Sequence, residues 1–299
     1  MDSVVSIVLF PVALGIVMLG LGLTLTVGDF RRVLAYPKAV VACLVCQMVV
    51  LPAVCLGLVT LADLRPELAV GMMLLAASPG GSTASLYSHL FRGNVALNIS
   101  LTAVNSVLAA FTLPLIVNWS IAAFMGSDTT LGLQFDKVLQ VFAMVLVPIG
   151  VGMWVRGRFT AFAERMQRPV RILSVAVLVF VLTGAVLGVR DQLGPAIQAV
   201  GVTVVAFNLL SLAIGYAAPR LLRVAHRESV ASSFEVGVHN ATLAITLALS
   251  PSLLNNQVIG MPSVIYGSLM FLTAALFGLV AARPARTRAL AAARGDAAA

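Results

Sequence analysis

Charge is missing from long stretches of this sequence, and that gap decides what the chain can fold into. Nine runs, about 3–25, 37–61, 67–90, 94–124, 137–155, 170–189, 195–218, 229–250 and 261–282, are each apolar enough for a bilayer-crossing helix of about 20 residues. Of the 299 residues 60% are hydrophobic and only 10% charged, with a mean hydropathy of +1.04. Soluble domains carry roughly 25% charged residues, so this chain lacks the surface for water. That excludes a soluble enzyme, a nucleic-acid-binding domain and a disordered protein. The expected class is an all-α polytopic membrane protein with nine transmembrane helices. The first run lacks a small-residue cleavage site and is expected to stay as a helix, not to leave as a signal peptide. Cys43, Cys46 and Cys55 share one apolar run and read as small buried hydrophobes, not as a redox or metal motif.

The net charge of +8 is distributed asymmetrically. Sixteen of the nineteen Lys and Arg residues fall after odd-numbered runs or in the tail; Arg65, Lys137 and Arg190 face the other way. Positive charge stays in the cytoplasm, which puts the N-terminus outside and the C-terminus inside. A single membrane domain is expected over 1–282, followed by a basic cytoplasmic tail, 283–299. The cell (inner) membrane is the expected location, the bilayer the expected surroundings, and a monomer the expected state.

One charge does not fit the loops. Glu235 lies within the eighth run, whereas every other Asp, Glu, Lys and Arg lies in a loop, a tail or a run end. A carboxylate at membrane depth costs a few kcal/mol or more and marks an ion or substrate path. Its run is interrupted by Phe234–Asn240, and the third run by Ser78–Thr83. Backbone freed from a helix is tolerated in a bilayer only where it lines a cavity or binds something. Superposing runs 1–4 on 6–9 sets the two breaks opposite each other, as in inverted-repeat transporters. Asn98, Thr102 and Asn105 then share one face of run 4 at i, i+4 and i+7, and Gln47 precedes Pro52 by five residues. For Asn105 the spacing favours hydrogen bonding between helices over ion ligation.

These segments resemble the bile acid:sodium symporter family, its bacterial members in particular. The resemblance is carried by Gly20–Leu25 with Asp29 and Phe30, and by Gln47 through Pro52. It is carried further by Pro79-Gly80-Gly81 leading to Arg92–Leu97, and by Glu235-Val236-Gly237 leading to Asn240. It implies a ten-helix inverted-repeat fold lacking its first helix. Runs 3–25, 137–155 and 170–189 would form a panel, and 37–124 with 195–282 a core in which the broken helices cross. It also implies two sodium sites: Ser85, Asn98, Thr102 and Glu235; then Gln47, Glu235, Val236, Val238 and His239.

Two departures accompany the resemblance. Ser82-Thr83-Ala84-Ser85 stands where many relatives read Thr-Ala-Ser-Asn, leaving Ser85 as the best ligand there and the first site one ligand poorer. His239 replaces a Gln, and imidazole nitrogen is a poor sodium ligand. The expected function is sodium-driven import of an organic anion, a small carboxylate or a bile-acid-like sterol acid. Runs 3, 4 and 8 hold no Lys or Arg, so the anion would be held by the half-helix ends at Gly81, Ser82, Thr83 and Asn240, Ala241, Thr242. A proton-coupled or uncoupled transporter of the same fold is the alternative, and a receptor or channel the more distant one. No nucleophile–His–carboxylate set, metal-ligand cluster or phosphate loop supports an enzyme.

Overall fold

The computed structural model describes residues 4–126, 135–188 and 190–281. The basic tail 283–299, and residues 3 and 282 at the ends of the outer runs, lie outside the described residues. Their regular elements are all helices, with no strand among the described residues. Helix α1 (Val4–Thr24) turns into α2 (Val27–Arg32) through a bend of 70°. Asp29 secures the bend. Its Oδ2 accepts from both the backbone N–H and the hydroxyl of Thr26, each at 2.7 Å, and its Oδ1 accepts from Arg32.

Next come α3 (Pro37–Val45) and α4 (Leu51–Leu61), joined by a π-helical segment, Cys46–Val50, that contains Gln47. Pro52 supplies no N–H to the turn before it, and a widened turn is a common response to that loss. Helix α5 (Pro66–Ala77) stops at Ser78, which takes the extended conformation that a residue before proline prefers (φ −70°, ψ 139°). The chain resumes as α6 (Ala84–Leu90) and the long α7 (Val95–Met125). The second half runs through α8 (Phe135–Arg158), α9 (Thr160–Gly188) and α10 (Arg190–Leu221). It ends with α11 (His226–Gly237), α12 (Ala241–Leu249) and α13 (Gln257–Ala281). Asn94 and Asn240 cap α7 and α12 alike: each side-chain oxygen accepts the N–H three residues on, at 3.0 Å.

Among the described residues five helices are long and apolar enough to cross a membrane, or six with the bent pair. The sequence offers nine runs, and the breaks account for part of the difference. They divide the third and eighth runs into helices of 12 and 7, and of 12 and 9 residues, each too short to cross alone. The surface is inverted relative to a soluble protein. Leu115, Trp154 and Val202 face outward, while Gln47, Asn98, Asn105, Asn208 and Glu235 are buried.

Helix α1 packs on α8 and α9, close enough at Gly22 and Gly152 that either glycine would lose the contact by gaining a side chain. Helices α5, α7, α10, α11 and α13 pack among themselves, with α12 against α13. The two breaks meet in this second group.

Candidate functional site

The two interrupted runs cross as a two-residue antiparallel bridge between Gly80 and His239. Gly81 N–H donates to the Val238 carbonyl at 2.7 Å, and Asn240 N–H to the Pro79 carbonyl at 2.8 Å. Each break thus pairs backbone groups that the other would leave bare, the condition for irregular backbone inside a bilayer.

The carboxylate of Glu235, fully buried, lies directly against this crossing. A Cβ on Gly80 would collide with its Oε1, its Cδ and the Glu235 carbonyl. Helix α7 faces it with two donors: the Thr102 hydroxyl to Oε2, and the Asn105 amide to Oε1 at 3.2 Å. One turn earlier, the Asn98 amide donates to the Ala231 carbonyl at 2.9 Å. Four buried side-chain oxygens around the crossing find no donor: Asn98 Oδ1, Asn105 Oδ1, Gln47 Oε1 and Asn208 Oδ1. Buried acceptors of this kind are ordinarily satisfied. A desolvated carboxylate among unsatisfied neutral oxygens is the donor set a hard cation takes.

Gln47 approaches from the π segment. Its amide donates to the Ser78 carbonyl at 2.9 Å and lies 3.4 Å from His239 Nε2. The other ring nitrogen, Nδ1, lies 2.9 Å from the Tyr266 hydroxyl, which donates to the Gly237 carbonyl at 2.8 Å. Since the tyrosine proton is committed to Gly237, Nδ1 carries the imidazole hydrogen and Nε2 accepts from Gln47. Asn208 also donates to Gly237, at 3.2 Å.

The expected residues fall into three positions. Thr102 and Glu235 touch, with Asn98 one turn away on the same helix face. Gln47 and His239 touch across the crossing; Val236 and Val238 are buried in its backbone. The Val238 carbonyl is taken by Gly81, and that of His239 by Ala241 N–H at 3.0 Å. Ser85 donates to the Ser82 carbonyl at 3.0 Å. The residues assigned to anion binding, Gly81, Ser82, Thr83, Asn240, Ala241 and Thr242, all line one cavity of about 410 Å³ together with Ser85, Thr102 and His239. Its opposite wall is Val17, Met18, Gly20, Leu21 and Thr24 of α1 with Gln167, Ser174 and Val175 of α9.

Sequence reasoning read Asn105 as a hydrogen bond between helices, and the bond it makes from α7 to α11 ends on the central carboxylate. Its place on the Asn98–Thr102 face was the available signal. Tyr266, Asn208 and Gly80 were not singled out. A tyrosine hydroxyl in mid-run needs a partner, which was the signal for Tyr266.

The Sodium Bile acid symporter family matches residues 11–194. An uncharacterized sodium-dependent transporter of Bacillus subtilis is 29% identical over 235 residues, covering 79% of this chain and 72% of its own. A probable chloroplastic sodium/metabolite cotransporter of Arabidopsis thaliana is 31% identical over 244 residues, 79% of this chain and 58% of its own. Human sodium/bile acid cotransporter 4 is 28% identical over 253 residues, 82% of this chain and 57% of its own. The chain therefore spans less than two thirds of the plant and human relatives. All three are named as transporters, none as an enzyme, and with a family match across more than half its length the chain belongs to the sodium bile acid symporter family, as a multi-pass membrane transporter.

Proposed function

We propose that the chain is a sodium-coupled symporter that imports an organic anion across the cell membrane. The observation that carries this reading is the buried Glu235 carboxylate beneath the crossing, among side-chain oxygens that lack donors. Sodium bound there neutralises the carboxylate and stiffens the bridge. The bridge in turn sets the start of α12 and the Gly81–Thr83 segment on the cavity wall. The first ion site is drawn from Ser85, Asn98, Thr102 and Glu235. The second is drawn from Gln47, Glu235 and backbone at Val236, Val238 and His239. Both nitrogens of His239 are engaged in hydrogen bonds, so its ring contributes no ligand to that second site.

The substrate reading follows from the cavity. One wall offers hydroxyls and the positive end of α12, which favours an anion; the other walls are largely apolar, including Val17, Met18, Leu21, Met270 and Phe271. That pairing suits a carboxylate on an apolar body, from a small branched acid to a sterol acid. The cavity lies between α1 and α9 on one side and the crossing on the other. Movement of a panel (α1, α8, α9) against a core (α3–α7, α10–α13) then exposes it to either side in turn. Nine spans, N-terminus outside, complete the arrangement.

The test is uptake of radiolabelled organic acids into proteoliposomes with and without a sodium gradient, in wild type and Glu235→Gln. Sodium-driven uptake lost in Glu235→Gln is the expected result. Uptake that persists without sodium and follows a pH gradient selects proton coupling instead.

A further inference from the structure

We infer that Asn105 is a ligand of the ion held by Glu235, so that α7 supplies three neutral oxygens of that site, through Asn98, Thr102 and Asn105. The inference rests on the sodium reading above and adds to it a residue and a position. Asn105 is fully buried, and its Nδ2 donates to Glu235 Oε1 at 3.2 Å. A carboxylate accepts only donors, so the amide must turn its nitrogen inward. That leaves Oδ1 in the protein interior with no partner. The same pattern holds at Asn98, whose nitrogen is spent on the Ala231 carbonyl and whose Oδ1 is orphaned. Thr102 between them has one hydroxyl proton facing two acceptors, the Asn98 carbonyl at 3.0 Å and Glu235 Oε2, and keeps lone pairs free.

Acceptor counting separates a cation from a proton here. Protonating Glu235 creates one O–H, already directed among oxygens, and supplies at most one of the two orphaned amides. A dehydrated monovalent cation takes several oxygens at once and satisfies both amides, the threonine and the carboxylate together. Helix spacing makes the assignment specific: i, i+4 and i+7 place the three side chains in one column facing α11.

The test is thermal unfolding of the purified full chain in sodium, lithium and choline chloride, which reads binding without transport. Asn105→Leu is expected to raise the half-saturating sodium concentration by about tenfold or more and to alter the sodium-to-lithium ratio. Asn105→Ser, which keeps a shorter oxygen, is expected to fall between Asn105→Leu and wild type. A purely structural Asn105 lowers the melting temperature without salt and leaves the half-saturating sodium concentration unchanged in both variants; that result overturns the assignment. Should Asn105→Leu fail to fold, Asn105→Ser decides by the same criterion. Glu235→Gln separates the two levels. If it abolishes the sodium effect while both Asn105 variants match wild type, only this inference falls. If Glu235→Gln itself keeps the full sodium effect, the sodium reading falls and takes this assignment with it.

Discussion

The carboxylate of Glu235 rests on the bare α-carbon of Gly80, leaving no room for a methyl group between them. The glycine of one break is thus shaped to the charge of the other. Gly80→Ala must push the carboxylate off its Thr102 and Asn105 donors or open the bridge to His239. Overpacking of a buried site costs about 1–3 kcal/mol, so Gly80→Ala is expected to lower thermal stability by that amount and to weaken the sodium response. Gly81→Ala, whose Cβ would stand 3.2 Å from the His239 carbonyl, should be milder. Thermal melts of both variants with and without sodium check the order. Equal melts would place the carboxylate elsewhere.

Gly81→Leu differs from both, because Gly81 lines the cavity and its N–H holds the crossing through Val238. A branched side chain there fills space in front of the proposed anion site. Substrate half-saturation should rise far more than that for sodium. Uptake measured at varied anion and fixed sodium, then the reverse, gives both values. Unchanged anion affinity would remove the Gly81–Thr83 segment from substrate binding.

The chain of hydrogen bonds from Gln47 through His239 and Tyr266 to Gly237 predicts a third result. Tyr266→Phe strands the Nδ1 hydrogen of His239, and a buried donor left unpaired costs about 1–3 kcal/mol. His239→Gln breaks the same chain but offers an amide oxygen in place of ring nitrogen. Both variants should lose stability, and His239→Gln alone should lower the half-saturating sodium concentration. Sodium titrations by thermal shift separate the two effects. Identical titrations would leave His239 as a brace for the break and nothing more.

How much of this was legible in the sequence follows from what each residue depends on. Glu235 and the two breaks stand out because a bilayer penalises any charge or helix interruption, whatever packs around it. Asn94 and Asn240 cap helices through bonds three residues away, a local matter. Asn105 and Tyr266 depend on a partner about 130 and 27 residues away, at Glu235 and His239. Nothing in a single run says which polar side chain will face a distant charge and which will merely join two helices. The π segment at Gln47 was equally hidden. Pro52 forewarned of disturbed bonding, but whether the helix kinks or widens depends on what the freed turn meets.

Orientation can be decided without any substrate. The proposed orientation has Arg158 in the cytoplasm and Arg65 outside, and both are exposed residues. The three native cysteines, Cys43, Cys46 and Cys55, are buried and should not react in the folded protein. Single Arg65→Cys and Arg158→Cys variants therefore report on their own positions against a silent background. Added to intact cells, a membrane-impermeant maleimide should label Arg65→Cys and spare Arg158→Cys, which should react only after permeabilisation. Since both sites lie at the ends of helices that pass through the same fold, one inverted result would require the other. Labelling of Arg158→Cys from outside, with Arg65→Cys protected, would turn the chain over in the membrane and put its N-terminus in the cytoplasm.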